Sequence, residues 1–121
     1  MNQKKILYVQ TSGPENPERV YAPLFLAIDA VATGISVTIY FFLKGVTSMK
    51  RGEPEKIKLE GYPRLDQLID QAVLSGVKLE VCEQSCILFG LKKQDLNDHV
   101  LIVGSSTLND HVLNADGILS F

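Results

Sequence analysis

Five short apolar runs alternate with stretches of helical spacing, and this alternation restricts the fold more than any other feature of the chain. The first run, residues 5–10, places Ile6, Leu7, Tyr8 and Val9 in an unbroken row. A row of strand length without polar alternation suits a strand covered on both faces, as in a parallel sheet. Thr11, Ser12, Gly13 and Pro14 then signal a turn. Asn16, Pro17 and Glu18 read as a helix start, with Asn as cap and Pro in the first turn; Pro23 shifts the regular part toward Tyr21. Over residues 24–32 nearly every side chain is apolar: Leu24 begins the run, Ala32 ends it and Asp29 interrupts it. A helix apolar all round must be covered all round. One side suits the sheet; the other predicts a second subunit.

The pattern continues to the last residue. Residues 35–43 are rich in β-branched and aromatic side chains and predict the second strand. Residues 44–61 lose periodicity and read as a long loop of the lid or binding type. Leu65, Leu68, Ile69, Ala72 and Val73 have helical spacing, with Gly76 as the stop. A third strand over 77–82 runs into a short helix, a fourth covers 99–103, a helix covers 107–115 with Leu108, Val112 and Ala115 inward, and a fifth strand covers 118–121. Repeated strand–helix alternation predicts a three-layer α/β/α fold with a five-stranded, mostly parallel sheet, in a single domain over residues 1–121.

At 121 residues there is room for one core. The formal net charge of −2 and the scattered basic side chains argue against nucleic acid or an anionic membrane as partner. Pro23, Asp29 and Gly34 break the longest apolar stretch, so no segment reads as membrane-spanning. Met1 and Asn2 lead straight toward a strand, without a leader pattern. A cytoplasmic protein is expected, and there two cysteines are expected as reduced thiols.

In parallel sheets ligands sit outside the carboxyl ends of the strands. The residues at those ends are Thr11, Ser12, Gly13, Lys44, Cys82, Gly104, Ser105 and Ser106. Cys82 stands where a strand hands over to a helix, so unpaired backbone N–H groups and the helix dipole favour its thiolate, the nucleophilic form. A buried, inert thiol is the competing account. Cys86 lies four residues on, either facing Cys82 across one turn or packing inward. A disulfide between them would be strained and reducible. Thr11, Ser12, Gly104 and Ser105 match no nucleotide fingerprint but have backbone N–H groups for a small anion, and Lys44 adds positive charge. Two Cys and two His raise the question of a metal; the gap between His99 and His111 is too long for a zinc finger, and neither metal nor cofactor is expected.

These residues resemble the DsrE/DsrF-like family, which includes TusD-type sulfur-relay subunits. The resemblance rests on Cys82 followed eight residues later by Gly90, on the stretches 100–108 and 115–121, and on the opening strand, loop and apolar helix. It implies a five-stranded α/β fold, homo-oligomers (homotrimers or hexamers) and cytoplasmic sulfur transfer. Cys82 would then be the sulfurtransferase thiol that carries a persulfide or thiosulfonate and passes it between a sulfur donor and an acceptor protein. Cys86 departs from the family pattern. Two rival functions are a dithiol redox protein using Cys82 and Cys86, and a non-catalytic assembly subunit.

Overall fold

A computed structural model of the chain describes residues 3–121; Met1 and Asn2, on which the expectation of a missing leader partly rests, lie outside them. In chain order the regular elements are β1 (Lys5–Gln10), α1 (Pro17–Ala32), β2 (Ser36–Phe41), α2 (Leu65–Leu74), β3 (Lys78–Cys82), α3 (Glu83–Leu88), β4 (Leu101–Val103), α4 (Ser105–Asn114) and β5 (Gly117–Ser120). The strands line up as β4-β3-β2-β1-β5, and every pairing is parallel. The five-stranded α/β fold expected from the alternation is the observed one.

Topology decides which helix lies where. From β1 to β3 the chain steps in one direction across the sheet, so right-handed crossovers put α1 and α2 on one face. The return from β4 to β5 runs the other way and puts α4 on the opposite face. Strand alternation sorts the side chains accordingly. Tyr8, Ile39, Phe41, Leu79 and Val81 join α1 and α2 in the main core, whereas Leu7, Tyr40 and Cys82 form a smaller cluster under Leu108 of α4 and Ala115 just after it. Burying a Leu or Ile fully contributes roughly 1.5–3 kcal/mol, so the main core supplies most of the stability.

Several expectations are corrected. α1 runs through Pro23, which is buried; the apolar face formed with Val20, Leu24 and Ala27 outweighs one lost backbone hydrogen bond. α2 and Tyr62, whose ring lies 4.8 Å from that of Phe25, cover part of the second side of α1. Leu26 (39% exposed), Asp29 and Ala32 stay exposed and Phe25, Ile28, Ala30 and Val31 half-buried, so the outer side of α1 is only partly covered within the chain.

The loop expected over residues 44–61 is ordered and buried in its first part. Leu43–Met49 is a 3-10 helix in which Val46, Ser48 and Met49 are fully buried. It packs so closely on the end of β1 that a Cβ on Gly45 would lie 1.9 Å from the Gln10 carbonyl oxygen. Leu108 and Ala115 face inward as expected and are joined by His111, which meets the Glu80 carboxylate at 2.7 Å, while Val112 faces out. No helix among the described residues is long and apolar enough to cross a membrane.

Candidate functional site

Cys82 is the last residue of β3 and the residue before the first turn of α3. Its backbone is extended (φ −74°, ψ 122°), so its side chain follows the alternation of the strand and points to the α4 face. Cys86, one turn into α3, belongs to the main core on the other side of the sheet. The two thiols are both buried and unbridged, and they sit in different clusters. The helical four-residue rule does not bring them together because Cys82 is not yet helical.

The Cys82 thiol lies in a polar cage. Its S–H donates to Gln84 Oε1 at 3.6 Å, and the same oxygen accepts the Ser105 N–H at 3.0 Å. The Ser85 hydroxyl oxygen accepts the Leu43 N–H at 2.8 Å, which leaves its proton for the sulfur. The Tyr40 hydroxyl donates to the Gly104 carbonyl at 2.9 Å and also lies within reach of the sulfur. Leu43, whose N–H anchors Ser85, has a left-handed backbone (φ +54°) that a leucine adopts only when its surroundings hold it there.

These contacts set the acidity. Burial pushes the Cys82 thiol up, but hydrogen bonds from the Ser85 hydroxyl and N–H, the Tyr40 hydroxyl and the Gln84 N–H outweigh it and bring the thiol below its ordinary value of 9.0. Cys86 moves the other way, raised first by burial and then by the charges of Cys82 and Glu83. Tyr40→Phe removes one donor while keeping the ring, and it is expected to raise the Cys82 titration midpoint. Thiolate absorbance against pH checks this.

Cys82 meets the sequence-level requirement of a helix start, but it is not open: its exposure is 0%. Of the other expected residues, Gly104 and Ser105 are part of the cage. Thr11 and Ser12 are not, because both their N–H groups donate to the Phe121 carbonyl (2.7 and 3.3 Å) and the Thr11 hydroxyl does too. They tie the end of β1 to Phe121, and their N–H groups are not free for an anion. Lys44 pairs with Glu15 at 3.2 Å. Tyr40, Gln84 and Ser85 escaped sequence reasoning. The last two follow Cys82 directly and could have been suspected, while Tyr40 becomes visible only through the strand register that sets it beside Glu80.

A cavity of about 660 Å³ lies off the free edge of β4, lined by Arg51, Glu83, Lys93 and Leu101 among others, and Cys82 does not border it. Among the described residues no group of three or more His, Cys, Asp or Glu side chains is placed to hold a metal ion. His99 pairs with Asp70 and His111 with Glu80.

A wholly parallel five-stranded sheet with helices on both faces, and a caged cysteine at the end of its third strand, places the chain among the small α/β proteins. The chain belongs to the DsrE/DsrF-like family, whose model matches residues 4–121. It is 27% identical over 108 residues to "Uncharacterized protein MJ0760" of Methanocaldococcus jannaschii; the match covers 89% of this chain and 39% of that protein, so the chain spans well under half of its length. It is 28% identical to "Uncharacterized protein MJ0989" of the same organism, over 97% of this chain and 99% of that one. The ychN protein from E. coli has the same fold, with a TM-score of 0.80 at 22% identity over 99% of this chain and 100% of that one.

Proposed function

We propose that the protein is a cytoplasmic sulfur carrier whose Cys82 accepts sulfane sulfur and passes it to a partner thiol. The observation that carries this is the cage: a buried thiol held below its ordinary acidity by Ser85, Tyr40 and backbone donors. The Cys82 thiolate attacks the outer sulfur of a donor persulfide R–S–SH. A new S–S bond forms as the donor's S–S bond breaks, and the donor leaves as R–S⁻. The acceptor's thiolate then attacks the outer sulfur of Cys82–S–SH, and Cys82 leaves as thiolate. No external oxidant or reductant enters either step. A stabilised thiolate is also a better leaving group, which favours handing the sulfur on. The separation of Cys86 into the main core supports a one-thiol carrier over a dithiol couple.

The test is incubation with a low-molecular-weight persulfide followed by intact-protein mass spectrometry. The expected result is a gain of one sulfur that is lost on adding a thiol acceptor. An unchanged mass would overturn the proposal.

Assembly with further copies of the chain, as a trimer or hexamer, belongs to the same proposal. It is supported by the partly covered outer side of α1 (residues 24–32) and by the thinly covered side of the sheet, where α4 exposes Val112 and Leu113 and β4 exposes Leu101. Leu113, 83% exposed, carries the corresponding prediction. Leu113→Glu is expected to lower the molar mass seen by light scattering while leaving the circular dichroism spectrum of the folded chain unchanged, because the side chain is not part of the chain's own core.

A further inference from the structure

The structure leaves Cys82 with no solvent exposure, yet one exposed side chain, Gln84, lies directly against the sulfur. Its amide oxygen takes two donors at once, the Cys82 S–H and the Ser105 N–H. That arrangement suits only the protonated thiol. A thiolate has no proton to give, and a carbonyl oxygen beside it is repelled. Turning the amide over would present its NH₂ to the sulfur, but would also set that NH₂ against the Ser105 N–H, donor against donor. Gln84 therefore cannot serve the thiolate without giving up Ser105.

The other members of the cage have the opposite preference. The Tyr40 hydroxyl has one proton, given to the Gly104 carbonyl at 2.9 Å and able to turn to the sulfur when that becomes negative. The Ser85 hydroxyl, fixed by the Leu43 N–H, has its own proton free for the same purpose. The cage thus contains donors for the thiolate and one acceptor for the thiol, and the acceptor is the group that covers the sulfur.

We propose that Gln84 is a gate and positioning residue: it closes over Cys82 in the thiol form and swings out when the sulfur is ionised or loaded, releasing the Ser105 N–H to hold the outer sulfur of the adduct. The inference rests on the carrier function for Cys82 and names the residue that governs access to it. Gln84 is suited to the motion because it is exposed and sits at the start of a helix of only six residues, so it can leave without disturbing the core. Its displacement vacates a position within reach of both the sulfur and the Ser105 N–H. The outer sulfur of Cys82–S–SH, ionised near neutral pH, is an acceptor and can take that N–H in place of the amide oxygen.

The gate is tested by the rate of Cys82 alkylation with iodoacetamide as a function of pH, in a Cys86→Ser background so that a single thiol is read. Gln84→Ala is expected to raise the rate at neutral pH about three- to tenfold, the worth of one or two lost hydrogen bonds, with the melting temperature nearly unchanged. Gln84→Glu keeps an acceptor for Ser105 but sets a negative charge beside the sulfur; it is expected to slow alkylation and shift its pH midpoint upward. A merely structural Gln84 would move the melting temperature and leave both profiles alone. Equal rates for the parent and Gln84→Ala across the pH range, or Gln84→Glu reacting as fast as Gln84→Ala, would overturn the gate. Alkylation needs no sulfur donor, so a failed gate and a failed carrier function are distinguishable: the first shows in these rates, the second in the mass after persulfide treatment.

Discussion

Cys82→Ser is expected to abolish sulfur uptake completely, whereas Cys86→Ser is expected to retain it. The difference follows from the two packing clusters. A serine hydroxyl at position 82 fits the same cage but ionises far too weakly to attack a sulfane sulfur near neutral pH. At position 86 the side chain lies in the main core, 3% exposed, its thiol raised by burial and therefore protonated and inert. Replacing it with serine buries a hydroxyl and lowers stability by about 1–3 kcal/mol, without touching the nucleophile. Mass spectrometry of the two variants after persulfide treatment separates the roles. Uptake lost only in Cys86→Ser would reverse the assignment, and uptake lost in both would restore the dithiol account.

Gly45→Ala is expected to destabilise the protein more than the same change at Gly13, Gly34 or Gly52. A Cβ there would lie 1.9 Å from the Gln10 carbonyl oxygen and 2.7 Å from its carbonyl carbon. The neighbour is backbone in the end of β1, and the Phe42 N–H already uses that carbonyl as its acceptor. Neither side can yield without moving a strand or lifting the 3-10 helix with Val46 and Met49 out of the core. Overpacking of this kind costs about 3 kcal/mol, which for a domain of this size lowers the melting temperature by about 10 °C. Circular dichroism against temperature checks it, and a shift below about 2 °C would mean that the segment is looser than described.

How far the sequence reaches depends on what kind of constraint is at work. β1 was legible from its unbroken apolar row, β2 from its β-branched and aromatic side chains, and β3 from the alternation of Val77, Leu79 and Val81. β4 was legible in kind but is shorter than expected, since a sheet edge pairs on one side alone and only residues 101–103 are in register with β3. The segment after β2 was not legible. Val46 and Met49 have helical spacing over a single turn, too little for periodicity to register, yet both are fully buried.

The site shows the same division. Cys82 could be found because the handover from strand to helix is a local signal. Thr11 and Ser12 looked like anion donors because local sequence says nothing of the Phe121 carbonyl that occupies their N–H groups, and that bond spans 110 residues. Tyr40 escaped for the mirror-image reason: within its own strand it is one more aromatic residue, and only the register with β3 makes it a neighbour of the sulfur. Long-range pairing both removes and supplies functional residues, and neither effect leaves a mark in local composition.

The account depends above all on the acidity of one thiol. Thiolate absorbance of the Cys86→Ser variant, followed against pH in the folded protein, measures that acidity without any sulfur donor or partner. The predicted midpoint for Cys82 lies below the ordinary thiol value of 9.0 and moves upward in Tyr40→Phe. A midpoint at or above that value, unmoved by loss of the Tyr40 hydroxyl, would mean that burial outweighs the cage and that Cys82 is a packed, unreactive side chain.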